Sequence, residues 1–125
     1  MATVLVIEDD DLVRNMLVLA LEFAGHKPVA ASDGEAGVRL FEEVRPDLVL
    51  TDIVMPDTDG FEAIRQILAI EPGARIVAMT GTTLLSKRYY LRIATKLGAM
   101  AGLVKPFSID DLVGLIHSCL GLAPA

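Results

Sequence analysis

The sequence predicts an α/β fold, a doubly wound five-stranded parallel sheet with helices on both faces in the order (βα)5. Three observations predict it: five short apolar runs rich in β-branched residues or leucine, helical apolar periodicity between them, and strict alternation of the two patterns. The runs fall at residues 3–7, 28–31, 48–51, 75–79 and 101–104. They are nearly continuous in apolar character instead of alternating, as strands of a parallel sheet covered on both sides are.

Each intervening segment reads as a helix. Residues 11–24 place Val13, Leu17, Ala20, Leu21 and Ala24 on one face, and Gly25 closes the helix as a C-terminal cap. Residues 33–44 turn Leu40, Phe41 and Val44 inward. The third helix begins near Asp59, buries Phe61, Ile64, Ile67 and Leu68, and stops before the turn Glu71-Pro72-Gly73. The fourth runs from about Leu84 to Leu97 with Tyr90, Ile93, Ala94 and Leu97 as core positions. The last starts at Ser108, whose hydroxyl can cap it, and directs Leu112, Leu115, Ile116 and Cys119 inward. Right-handed crossovers put such helices on both faces of the sheet, so ligands are expected at the carboxyl edge of the strands.

Bulk properties narrow the function. The chain has 125 residues, 53% of them hydrophobic, which suits one domain over residues 1–125 with a real core. Seventeen acids against eleven bases give a net charge of −6, the wrong sign for a surface that binds nucleic acid. The single cysteine, Cys119, has no partner for an internal disulfide, and the N-terminus lacks the basic and apolar regions of an export signal. Charged residues interrupt every apolar run well short of the roughly 20 residues needed to cross a bilayer. The expectation is a cytoplasmic protein without membrane insertion. Little sequence follows the last helix, so no output domain is expected and the signal is expected to leave by docking.

The carboxyl edge is polar. The first strand delivers Glu8, Asp9, Asp10 and Asp11, the third Asp52, the fourth Thr80, and the fifth Lys105 followed by Pro106. Two carboxylates about 4 Å apart repel by roughly 4 kcal/mol at an effective dielectric of 20, so Asp9 and Asp52 need a proton or a cation to share a site. Oxygen donors without nearby histidine or cysteine favour a hard ion, Mg²⁺ being the abundant one. Plainer readings stand beside these: Asp10 and Asp11 suit helix capping, Asp57 and Asp59 suit a turn and a helix cap, and residues 80–83 suit a polar turn as well as a phosphate cradle. His26 and His117 have no partners at metal-ligand spacing and are read as surface or helix-end residues.

Together, Val6-Ile7-Glu8-Asp9, Leu48-Val49-Leu50-Thr51-Asp52, Met55-Pro56, Asp59-Gly60, Met79-Thr80 and Lys105-Pro106-Phe107 resemble the receiver domain of two-component response regulators, over residues 3–120. The resemblance implies a flavodoxin-like strand order 2-1-3-4-5 and a phosphoacceptor signalling protein that assists its own phosphorylation and dephosphorylation but is not an enzyme acting on other substrates. It implies that Asp52 takes a phosphoryl group from the phosphohistidine of a sensor histidine kinase or phosphotransfer protein. Mg²⁺ would be held by Asp9 directly, Glu8 through water, Asp52, and the main-chain carbonyl of Val54. Thr80 would turn its hydroxyl to the phosphoryl group, Lys105 would neutralise charge from the other side, and the Lys105–Pro106 bond would be cis. The first helix would lie against the kinase, and a downstream target would dock on the face formed by the fourth helix, fifth strand and fifth helix. Val54 and Thr82, flanking the acceptor, carry no group suited to orienting water, so slow hydrolysis of the phosphorylated state is expected.

Other functions fit less well. A haloacid-dehalogenase-type phosphatase would carry a second acid two residues beyond its nucleophile, where Asp52 is followed by Ile53 and Val54; a flavin carrier would need a hydroxyl-rich loop where this chain has four acids. A degenerate receiver acting as a constitutive interaction module is the remaining alternative.

The chain also departs from the pattern it resembles. Gly102 stands where most receivers have an aromatic residue whose ring follows the strand-four hydroxyl, so that relay has no side chain here. The connection from Thr80 to Gly98 looks about three residues longer than in common relatives. Residues 72–109 hold none of the seventeen acids, whereas Arg88, Arg92 and Lys96 recur on one helical face near Lys87 and Tyr89. Leu12, Met16, Leu19 and Phe23 make a second apolar stripe on the first helix.

Overall fold

The computed structural model describes residues 1–53, 60–81 and 87–122, with the backbone alone at Lys87 and Arg88. The elements run β1 (Thr3–Ile7), α1 (Asp11–Phe23), β2 (Lys27–Ala31), α2 (Gly34–Val44), β3 (Leu48–Asp52), α3 (Gly60–Ile70), β4 (Ile76–Thr80), α4 (Lys87–Leu97), β5 (Ala101–Val104) and α5 (Ile109–Leu120). All four strand pairs are parallel, in the order β2-β1-β3-β4-β5. The expected fold class and strand order are therefore the observed ones, and the boundaries differ by a residue or so except for α4, expected from about Leu84 and described from Lys87. Val54, Met55, Pro56, Asp57, Asp59, Thr82, Thr83 and Leu84, to which the sequence assigned roles, lie outside the described residues.

Helix starts follow from local chemistry. The Asp10 carboxylate accepts hydrogen bonds from the amides of Leu12 and Val13, Asp33 from Ala36, and Ser108 from Asp111, each satisfying a donor that the first turn leaves unpaired. Asp33 and Ser108 are thus caps, not the first helical residues. α5 ends at Gly121, whose φ of 71° is open to glycine at little cost.

The sheet divides the core in two. Val4, Val6, Leu48, Leu50, Val77 and Met79 point to the side covered by α1 and α5, where Leu17, Leu21, Leu112 and Ile116 meet them. Leu5, Ile7, Val49, Ile76 and Ala78 point the other way, onto Phe41 of α2, Ile64 and Ile67 of α3, and Ala94 of α4. The strands alternate in facing, but both faces are covered, which is why the sequence shows unbroken apolar runs. Leu115 and Cys119 pack partly buried against the α1–α5 side, as expected. Val44 does not turn inward; at the end of α2 it is exposed.

Candidate functional site

The register of the strands builds the site. Asp52, the last residue of β3, is level with Met79 of β4, and Thr80 is level with Val104 of β5. Main-chain hydrogen bonds carry the alignment past the strand ends: the Ile53 amide donates to the Met79 carbonyl at 2.9 Å and the Lys105 amide to the Thr80 carbonyl at 2.8 Å. Asp52, Thr80 and Lys105 therefore lie at one edge, joined by Glu8 and Asp9 following β1.

Carboxylate oxygens of Glu8, Asp9 and Asp52 lie within 4.8 Å of one another. Glu8 and Asp52 are buried and Asp9 is half-buried. Lys105 Nζ reaches into this cluster, 3.1 Å from Asp52 Oδ2, and also donates to Glu8 Oε1. The Lys105–Pro106 peptide bond is cis. Burial disfavours the lysine's charge, yet its hydrogen bond to Glu8 and the charges of Asp52 and Glu8 outweigh burial and raise its pKa above the ordinary value. Burial also raises the pKa of Asp9, aided by a hydrogen bond with Glu8 and the Glu8 charge, against the Asp9 backbone hydrogen bond and Lys105.

Among the described residues three acids face one ammonium. The donor set is oxygen alone, and its residual negative charge fits a hard divalent cation. Val54, the expected main-chain ligand, lies outside the described residues. Thr80 is buried at the end of β4, on the same edge as Asp52.

Sequence reasoning missed three supporting features. Glu8 is the ion-pair partner of Lys105 across 97 positions, a contact that no local pattern announces. Arg14 anchors the acidic loop by donating from Nη1 to the Glu8 carbonyl at 2.9 Å while pairing with Asp11, and only the three-residue spacing of Asp11 and Arg14 hinted at it. Gly60 is pressed against the acceptor strand: a Cβ there would stand 2.3 Å from the Asp52 carbonyl oxygen and 2.5 Å from Ile53 Cα. Its amide donates to the Ile53 carbonyl at 2.9 Å, so the start of α3 fixes the end of β3.

Of His26 and His117, read as surface or helix-end residues, His117 does lie in the last turn of α5, yet both rings are buried and in contact with each other. Their burial against each other was not legible because no short-range pattern links residues 91 apart. On α4, Arg92, Lys96 and Tyr89 are exposed as the basic-stripe reading requires. Leu91 and Arg92 line an apolar recess of about 450 Å³ with Thr95 and Lys96.

Comparison with known proteins gives the family and bears out the fold. The transcriptional regulatory protein PdtaR of Mycobacterium tuberculosis is 41% identical over 115 residues, covering 91% of this chain and 54% of that regulator, so the chain spans about half its length. The chemotaxis protein CheY of Listeria monocytogenes is 33% identical over 114 residues, covering 90% of this chain and 93% of its own. The crystal structure of a response regulator receiver domain protein from Clostridium thermocellum superposes with a TM-score of 0.89 at 30% identity, covering 97% and 95% of the two chains. The family model of the response regulator receiver domain matches residues 4–117, and the chain belongs to that family.

Proposed function

We propose that this receiver takes a phosphoryl group onto Asp52 in the presence of Mg²⁺ and passes the signal on by docking. The observation that carries the reading is the convergence on Asp52: Lys105 Nζ at 3.1 Å and the Glu8 and Asp9 carboxylates within one small cluster. An Asp52 oxygen forms the new O–P bond as the donor's N–P bond breaks, and the electron pair of that bond leaves with the donor imidazole. Such a transfer asks mainly for positioning and for neutralisation of charge on the phosphoryl oxygens. Lys105 supplies a positive charge from β5, and Gly60 holds the β3 end in place. Glu8, Asp9 and Asp52, with the Val54 carbonyl, would hold Mg²⁺, which supplies charge neutralisation when bound. Thr80 offers a hydroxyl at the adjoining strand end to a phosphoryl oxygen.

The partners that fit are a histidine kinase or phosphotransfer protein on the phosphorylation side and a target protein on the α4–β5–α5 face. Among the described residues no helix is long and apolar enough to cross a membrane. Incubation with acetyl phosphate and Mg²⁺ followed by peptide mass spectrometry tests the reading. A phosphoryl adduct on the peptide containing Asp52, absent from Asp52→Asn, is expected. An adduct elsewhere, or none, would overturn it in favour of a constitutive interaction module.

A further inference from the structure

The buried histidine pair lies at the end of the sheet opposite Asp52. His26 precedes β2, and His117 sits in the last turn of α5, which runs antiparallel to the strands and so ends near their starts. The two Nε2 atoms are 2.8 Å apart, and the rings meet edge to face with centroids 5.0 Å apart at 78°.

The proton positions follow from the contacts. The Ala2 amide donates to His26 Nδ1 at 3.1 Å, so that nitrogen is an acceptor and the neutral ring carries its proton on Nε2. His26 Nε2–H then donates to His117 Nε2, which leaves the His117 proton on Nδ1. That Nδ1 is buried without a hydrogen-bond partner among the described residues, an unfavourable arrangement held by the packing around it. A further proton has no place. On His117 Nε2 it would set one N–H against another across 2.8 Å, and on His26 Nδ1 it would face the Ala2 amide.

We propose that His26 and His117 form a pH-sensitive latch, which ties the last turn of α5 to the start of β1 while both rings are neutral and lets go when either ring takes up a proton. The charged groups acting on His26 are the His117 ring from α5 and the Met1 α-ammonium ahead of β1; neither is an acid that would hold an imidazolium in place. Burial, then the His117 ring and the Met1 ammonium, lower the pKa of His26 below its ordinary 6.5. The folded chain then binds fewer protons than the unfolded one in the window below 6.5. The latch contributes fully above that value and its contribution is lost as pH falls through the depressed value.

The cap of α5 reports the latch. The Gly121 and Leu122 amides both rely on carbonyls of the turn that carries His117, Leu122 donating to the His117 carbonyl at 2.8 Å and Gly121 to Ser118 at 3.2 Å. Histidine ring NMR and amide exchange on the intact chain, from about pH 8 to about pH 5, test the proposal. The expected result is the Nε2–H tautomer of His26 at the upper end. Protection of Gly121 and Leu122, corrected for intrinsic exchange, then falls by about fivefold or more as a ring titrates. His117→Gln cannot be protonated there and keeps an acceptor for His26 Nε2–H whether His26 is neutral or charged, so it should hold that protection level over the same range. The opposite His26 tautomer, or unchanged α5 protection while a ring titrates in the wild type, would overturn the latch whether or not the variant folds. Phosphorylation of Asp52 plays no part in these readouts.

Discussion

Leu91 of α4 fills the space above Gly102 of β5: a Cβ built on the glycine would stand 2.8 Å from Leu91 Cδ2. The missing ring on β5 is thus replaced by a leucine reaching down from the neighbouring helix. The nearest atoms belong to the end of a flexible side chain, so Gly102→Ala should change stability by less than about 1 kcal/mol, the strand gaining what the leucine gives up. Gly102→Tyr must displace Leu91 and should cost about 1–3 kcal/mol. Leu91→Ala in the same chain should recover part of that loss, with a coupling of about 0.5–3 kcal/mol in a double-mutant cycle read by urea unfolding. Strict additivity would show that the two side chains do not compete for this space.

Gly60 presents the opposite case, because the atoms a side chain would meet there are backbone. Gly60→Ala should cost about 3 kcal/mol or more, since neither the Asp52 carbonyl nor Ile53 Cα can rotate away. The strain falls on the residue proposed to accept the phosphoryl group. Labelling by acetyl phosphate should therefore slow more in Gly60→Ala than in Gly102→Ala, under conditions where both remain folded.

Among the described residues the cluster at the sheet edge holds three carboxylates and one ammonium, and its response to charge removal is directional. Asp52→Asn leaves Lys105 paired with Glu8 and relieves one repulsion, so without Mg²⁺ its melting temperature should equal or slightly exceed that of the wild type. Lys105→Met removes the only ammonium in the cluster among the described residues and should cost about 3 kcal/mol, the scale for breaking a largely buried ion pair. Added Mg²⁺ should raise the melting temperature of Lys105→Met by more than that of Asp52→Asn. Thermal melts with and without the ion check both signs.

On α1, Leu12, Met16, Leu19 and Phe23 are exposed, Phe23 at 94%, so the second apolar stripe does not serve peripheral packing. Met16→Glu should leave labelling by acetyl phosphate unchanged while slowing transfer from a cognate kinase about tenfold, as the loss of a well-packed interface contact does. Equal slowing in both assays would locate the defect in the fold.

Much of this molecule was legible because parallel sheets write their strands as short apolar runs and end them at one edge. Asp9, Asp52, Thr80 and Lys105 could be placed together from that rule alone. What stayed hidden were contacts between chain segments far apart whose residues have ordinary local settings. Glu8 reads as one more acid in a run of four until Lys105 is seen beside it. His26 and His117 are each isolated in sequence, and nothing in either local setting signals an imidazole partner 91 positions away. Gly60 reads as a turn residue because the lack of a side chain does not say what comes close. Val44 continues a helical apolar pattern into the last residue of α2, where it is exposed.

The separation of the core into two compartments bears on how the protein can change over evolutionary time. Among the described residues, the α1–α5 compartment and the α2–α3–α4 compartment meet through strands whose side chains point to one or the other. The described buried side chains form two separate clusters, so substitutions in different compartments should have nearly additive effects on stability. One flank of the molecule can therefore diverge toward new partners without compensating changes in the other, while the backbone edge bearing Asp52 stays where both flanks need it.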